Sequence, residues 1–218
     1  TNSTPSLAVL DRTVAAVWTA AKDGAANVYV ATSNDAGATF SQPRRVNDQD
    51  ADASANNEQP PRVVMSGSGS ARALTVLWSK RNEGAQRMRR DVIRMARSTD
   101  GGLTFSAART THDPTFSGAR GWESLTSGPD GVLHAVWLDG RDAEKKIAEA
   151  TAHSGMAHKG QPPQDVYHAA IAQDGRIVES LIATGVCFCC KTAVAVDAGG
   201  AVYAAWRHVF PGSMRDIA

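Results

Sequence analysis

Short apolar segments that end in tryptophan recur along the chain. They cover residues 14–18, 74–78, 133–137 and 202–206. Their tryptophans, Trp18, Trp78, Trp137 and Trp206, are 60, 59 and 69 residues apart. The apolar residues alternate with polar ones or form short Val- and Ala-rich runs bounded by Gly, Pro, Asn and Asp, which is typical of strands rather than helices.

Each tryptophan segment lies between two further strand-like segments. One precedes it (7–10, 63–65, 123–126 and 192–196) and one follows it (27–32, 92–97, 166–172 and 215–218), while Val46 and residues 108–111 mark a short fourth strand. Repeated four-stranded units of this size are the signature of propeller blades. We therefore predict an all-β propeller region over 1–218, with four-stranded antiparallel blades at about 5–48, 59–112, 120–183 and 186–218.

Two octapeptides, at 33–40 and 98–105, share the pattern Ser-x-Asp-x-Gly-x-Thr-Phe. Asp accepts hydrogen bonds from backbone N–H groups just ahead of it, and Gly adopts positive φ without a Cβ penalty, so the pattern predicts a tight structural turn. The shared positions are Ser33, Asp35, Gly37, Thr39 and Phe40 in the first copy and Ser98, Asp100, Gly102, Thr104 and Phe105 in the second.

These octapeptides resemble the Asp-boxes, or bacterial neuraminidase repeats, of the sialidase-like β-propeller superfamily. The resemblance implies six blades in the complete protein, of which about three and a half are present here. The third blade keeps only Gln173-Asp174-Gly175 of the box, and the chain stops inside a blade. We expect the C-terminal blade to be incomplete and the remaining blades to come from the same or another chain.

Charge and hydropathy limit the classes of partner and the cellular compartments that the sequence favours. The 218 residues carry 23 basic and 22 acidic side chains, a formal net charge of +1, so no global charge favours nucleic acid. The one basic concentration, at Arg87, Arg89, Arg90, Arg94 and Arg97, fits a solvated face. No apolar run reaches the length of a membrane span. The chain begins at Thr1, which indicates a processed or trimmed protein, and we expect it to be secreted or periplasmic.

A polar insertion interrupts the third blade at 142–164. Residues 142–150 have the composition of one short helix, and we expect the rest to form a mobile loop.

Every cysteine of the chain lies in Cys187-Phe188-Cys189-Cys190. If the backbone turns there, all three thiols converge on a soft ion such as Cu(I), or on Zn(II) if a histidine joins them. A Cys187–Cys190 disulfide with Cys189 left over is equally open, since an odd count leaves one thiol unpaired. Packing of small buried thiols under a blade is the third alternative.

The position of the cysteines within the propeller places them near other polar residues. The residues that open the innermost strands gather around one mouth of the central channel, so Arg62, Arg120, Glu123 and Lys191 should share that space with the cysteines, and Trp122 adjoins Glu123. An arginine pair suits a ligand that bears a carboxylate or phosphate. The alternative is that Arg120 and Glu123 merely neutralise each other.

Two functions follow, and we expect the first. It is a non-catalytic propeller that binds a small molecule, a glycan, a protein or a soft metal such as copper or zinc at the mouth. The second is a sialidase-type glycoside hydrolase, for which the resemblance implies an arginine triad, an Arg-Ile-Pro segment, an acidic residue and a tyrosine nucleophile. Arg-Ile-Pro is absent, and Tyr29, Tyr167 and Tyr203 lie inside strand segments. If hydrolysis occurs, Glu123 is the preferred catalytic carboxylate.

Overall fold

The computed structural model describes residues 2–81, 91–141 and 164–218. Within these ranges the secondary structure is β-strand, apart from short 3-10 segments at Gly69–Ala71 and Pro211–Ser213. All paired strands are antiparallel, which confirms the predicted all-β class. The predicted helix at 142–150 and three arginines of the basic concentration, Arg87, Arg89 and Arg90, lie outside the described residues.

The first sheet has four strands in sequential order, as expected of a meander. They are β1 (Ser6–Leu10), β2 (Thr13–Lys22), β3 (Ala25–Ser33) and β4 (Arg44–Arg45). A two-residue turn joins β2 to β3, and Asp23 and Gly24 both have positive φ, at 52° and 83°. This is the type I′ geometry whose twist matches the flanking strands, and Asp-Gly is among its preferred sequences.

The second sheet repeats the order of the first. It contains β5 (Arg62–Ser66), β6 (Ala73–Lys80), β7 (Val92–Ser98) and β8 (Arg109–Thr110). In both sheets the long second strand carries the repeated tryptophan, Trp18 in β2 and Trp78 in β6. The same element order in two sheets is the structural form of the sequence repeat.

The third and fourth units are joined along their edges. The third contains β9 (Arg120–Ser127), β10 (Leu133–Asp139), β11 (Gln164–Ile171) and β12 (Ile177–Val186), and the fourth contains β13 (Ala193–Val196), β14 (Val202–Ala205), β15 (Arg207–Phe210) and β16 (Met214–Ile217). Val186 pairs with His208, so β15 and β16 extend the third sheet, while β13 and β14 form a separate pair.

The core lies between the faces of consecutive sheets. Val17 and Val28 of the first sheet pack with Val76 and Trp78 of the second in one buried cluster. A second cluster joins the second and third sheets, and a third joins the third sheet to the β13–β14 pair. Each of these clusters therefore lies between two neighbouring units, which is how blades of a propeller pack on one another.

The described residues contain no helix that is both long enough and apolar enough to cross a membrane.

Candidate functional site

The segments that precede or open β5, β9 and β13 meet around the backbone of Trp122 and Glu123. Arg62, the first residue of β5, donates a hydrogen bond from Nε to the Glu123 carbonyl oxygen at 2.8 Å. The Thr192 hydroxyl, just before β13, donates to the Trp122 carbonyl oxygen at 2.7 Å. These bonds hold three neighbouring units together at one point, where a shared site can form.

A β-bulge shapes this point. The pairing of β9 with β10 shifts between Val136 and Leu138, so Trp122 and Glu123 together lie opposite a single residue, Trp137. Trp122 has a φ of 59°, a left-handed conformation that is strained for a bulky residue. Such strain persists only where the surrounding structure maintains it, and it is concentrated at functional sites.

Glu123 is a buried carboxylic acid without a counterpart. Only 1% of it is exposed, and neither carboxylate oxygen has a hydrogen-bond partner among the described residues. Burial raises the pKa of Glu123 to about 7, although its own backbone N–H and the charge of Arg62 oppose the rise. Glu123 is therefore a group that exchanges a proton near neutral pH.

Arg120 has its guanidinium occupied by neighbouring groups. Its Nε lies 2.9 Å from Oδ2 of Asp139, and its two terminal nitrogens donate to the carbonyl oxygens of Asp91 and Phe116 at 3.0 Å each. The side chains of the pair are 1% and 0% exposed. Arg120 is therefore neutralised by Asp139 and not by Glu123, as the alternative had it. Binding of a ligand by Arg120 stays a prediction.

Asp139 is the centre of a buried ion-pair network. Its Oδ2 also accepts from Arg141 at 2.7 Å and from the Trp137 indole at 2.9 Å. Burial alone would raise the pKa of Asp139, but these hydrogen bonds and the charges of Arg120 and Arg141 outweigh it, so the pKa is lowered. This network anchors the end of β10 and thereby the start of β9, which pairs with it.

The three thiols converge. The Sγ atom of Cys187 lies 2.6 Å from that of Cys190 and 3.7 Å from that of Cys189, and all three sulfurs lie within 4.8 Å of one another. Cys187 is buried, Cys190 half-buried and Cys189 exposed, and all three are free thiols. This arrangement disfavours the packing alternative, whereas a metal ion and a disulfide both stay open.

The fourth unit places positive charge beside the sulfurs. Nη1 of Arg207 lies 3.9 Å from Sγ of Cys190. Burial would raise the pKa of Cys187, but hydrogen bonds from Cys190 and Cys189 and the charge of Arg215 lower it overall. Burial and the Cys187 sulfur raise the pKa of Cys190 to about 11. Cys187 is thus the first of this pair to become a thiolate, the form that binds metals and attacks disulfides.

The remaining predicted ligand-binding residues differ in exposure. Arg62 and Trp122 are half-buried, and Lys191 is exposed in the loop before Thr192. Trp122 packs against the cluster that includes Val136 and Leu138. The structure therefore brings Arg62, Trp122 and Glu123 together around the bulge, and their role in binding stays a prediction.

The residues of the two Ser-x-Asp-x-Gly-x-Thr-Phe octapeptides form closed turns after the third strands of the first two sheets. Asp35 accepts hydrogen bonds from the Ser33 hydroxyl at 2.6 Å, the Thr39 N–H at 2.9 Å and the Thr39 hydroxyl at 2.6 Å. Asp100 repeats the arrangement with Ser98 and Thr104. These bonds lower the pKa of both carboxyls. In both turns the aspartate side chain therefore stabilises its own loop by accepting hydrogen bonds from that loop.

The other box positions support the same turns. Gly37 and Gly102, each with a φ of 90°, donate their N–H groups to the Ser33 and Ser98 hydroxyls at 2.8 Å. Phe105 packs against the first core cluster, whereas Phe40 is 46% exposed. The third sheet instead has a short hairpin at 172–176, closed by the Ala172 N–H bond to the Arg176 carbonyl oxygen at 2.9 Å.

Sequence reasoning missed Thr192, Asp139 and Arg207 as members of these networks. Thr192 follows the cysteine loop directly, and its single buried hydroxyl donates to or accepts from groups on β9 and β10. The one available signal was its adjacency to the loop at 187–191. Arg207 follows Trp206, but nothing local shows that it faces Cys190.

Comparison with known proteins identifies the fold. No family model and no curated protein matches the chain. The α-L-arabinanase of Penicillium chrysogenum, solved with arabinobiose, is similar in structure, with a TM-score of 0.57 and 11% identity over 93% of this chain and 58% of that one. The sialidase of Trypanosoma rangeli, solved with sialic acid, gives 0.50 and 14% over 98% and 35%. The chain has a β-propeller fold.

The propeller described here spans 58% of the arabinanase and 35% of the sialidase. At 11% and 14% identity, these similarities establish the architecture and no activity. The described sheets of this propeller do not close into a ring among themselves.

Proposed function

We propose that this chain is part of a sialidase-like propeller that binds a carbohydrate at its axial mouth and hydrolyses a glycosidic bond, with Glu123 as the general acid. The observation that carries the proposal is the carboxyl group of Glu123, which is buried, has no hydrogen-bond partner among the described residues and is shifted to a pKa of about 7. A glycosidase acid must be protonated near neutral pH to donate to the leaving oxygen, and burial is the usual way to achieve this.

The surrounding residues suit a sugar ligand. Trp122, the residue before Glu123 in the bulge, is a half-buried aromatic residue, and Arg62 offers hydrogen-bond donors from the adjacent strand. A glycosidase also needs a second carboxylate across the scissile bond. The proposal includes such a residue from a blade outside these 218 positions. The arabinanase and the sialidase, both propellers that act on glycans, are consistent with this assignment.

The test uses the full-length polypeptide and a panel of aryl arabinosides, xylosides and mannosides. Glu123→Gln should lower kcat about 10²–10⁴-fold, because Gln cannot donate a proton. Glu58→Gln, at an exposed position, is the matched control and should keep full activity. The wild-type rate should fall as the pH rises through about 7, the pKa of Glu123. Turnover that survives Glu123→Gln would refute the assignment.

The enclosure of Glu123 favours a second candidate, a propeller that binds a glycan or another ligand without cleaving it. Only 1% of Glu123 is exposed, so a ligand must displace part of the mouth to reach its carboxyl. In that case calorimetry with arabino- or xylo-oligosaccharides should show binding by the wild type while the same sugars stay intact. Binding accompanied by release of reducing ends would exclude this second candidate.

A further inference from the structure

We propose that Cys187, Cys189 and Cys190 form a site for one Cu(I) ion, bound by three thiolates. This site goes beyond the carbohydrate function and does not depend on it. The three sulfurs already lie within 4.8 Å of one another. With metal–sulfur bonds of about 2.3 Å, a trigonal ion requires sulfurs roughly 4 Å apart. The Cys187–Cys189 distance of 3.7 Å fits this requirement.

The Cys187 and Cys190 sulfurs, 2.6 Å apart, must separate by roughly 1.4 Å to receive the ion. The loop allows such an adjustment because Cys189 is exposed and Cys190 is half-buried. The backbone of Cys187 is anchored by its N–H bond to the Arg207 carbonyl oxygen at 3.0 Å. One ligand is therefore fixed while the other two have room to move.

The ligand set selects copper(I) rather than zinc(II). Structural zinc sites are almost always four-coordinate, and a zinc site here needs a histidine or a fourth cysteine. In the part of the chain that the structure describes, no imidazole or carboxylate belongs to the group formed by the three sulfurs. Soft thiolates favour Cu(I), and three sulfur ligands complete the coordination of a trigonal Cu(I) ion.

The surrounding charge supports an anionic complex. Three thiolates and one Cu(I) carry a net charge of −2, which is costly next to a buried sulfur unless cations lie close. Arg207 places a guanidinium 3.9 Å from Sγ of Cys190. The fourth unit therefore supplies compensating charge on the side where the thiolates lie.

The test is an anaerobic titration of the fully reduced protein with Cu(I), in competition with a chromogenic Cu(I) chelator. One ion should bind per chain, X-ray absorption should show three sulfur neighbours, and an equal concentration of Zn(II) should not displace it. The same Cu(I) should protect all three thiols of the wild type from alkylation, a measurement that needs no variant. No binding, or alkylation at an undiminished rate, would overturn the proposal.

Variants assign the ligands. Cys187→Ser, Cys189→Ser and Cys190→Ser should each weaken Cu(I) binding at least tenfold. Phe188→Ala, which alters the same loop and keeps every thiol, should bind as the wild type does. Full affinity in Cys189→Ser would reduce the site to a two-sulfur pair and refute the three-thiolate assignment. Glu123→Gln should leave Cu(I) binding unchanged, so failure of the carbohydrate function and failure of this site are distinguishable.

Discussion

Replacing Glu123 with Gln should change how stability depends on pH. Burial raises the pKa of Glu123 from 4.5 to about 7, so the folded protein disfavours the ionised form. Below pH 4.5 the carboxyl is protonated in both folded and unfolded chains and costs nothing. As the pH rises from 4.5 to about 7, Glu123 ionises in the unfolded chain while it stays protonated in the folded one. The free energy of unfolding therefore falls by about 3 kcal/mol, at 1.36 kcal/mol per pH unit. Above pH 7 the loss is constant.

Gln is uncharged at every pH, so the variant avoids this loss. The free energy of unfolding should be measured by urea denaturation at pH 4.5, 6 and 8 for the wild type, Glu123→Gln and the exposed control Glu58→Gln. The difference between Glu123→Gln and wild type should shift in favour of the variant by about 3 kcal/mol between pH 4.5 and 8. A difference that is independent of pH, as expected for Glu58→Gln, would refute the reasoning.

Three further predictions concern other parts of the molecule. Thr192→Val should lower the free energy of unfolding by about 1–3 kcal/mol in urea denaturation, because the carbonyls of Trp122 and Val136 lose a buried donor; Thr192→Ser should restore most of it, and an unaffected Val variant would argue against the clamp. Asp35→Ala and Asp100→Ala should lower Tm while Cu(I) affinity stays unchanged; lost affinity at unchanged Tm would contradict a structural role. The full-length protein should not release sialic acid from a fluorogenic sialoside, because these 218 residues contain no Arg-Ile-Pro segment, and robust release would contradict this.

The features predictable from the sequence are local ones. The turns of the two repeated octapeptides close through bonds between residues two to four positions apart, such as Asp35 with Ser33 and Thr39. The strand pattern around Trp18, Trp78 and Trp137 likewise follows directly from the sequence, because side chains alternate between faces with a period of two, whereas β14 ends at Ala205, before Trp206. The three cysteines were found for the same reason, since they are neighbours in the chain.

The features that sequence reasoning missed depend on distant partners. Arg120 pairs with Asp139 across two strands, 19 positions away, although Glu123 is nearer in sequence. The bulge at Trp122 requires positive φ at a bulky residue, which no propensity predicts. The convergence of the thiols was predicted only on the condition that the backbone turns at the cysteines, because strand alternation alone would have placed Cys190 opposite Cys187 and Cys189.

Thr192 gives the molecule a mechanical connection between its two candidate sites. It directly follows the loop at 187–191, and its hydroxyl donates a hydrogen bond to the carbonyl oxygen of Trp122, which forms the bulge together with Glu123. Covalent bonds and one short hydrogen bond connect the loop at 187–191 to the backbone beside the buried carboxyl. One hydroxyl group therefore helps to position both the end of the cysteine loop on one blade and the bulge on the next.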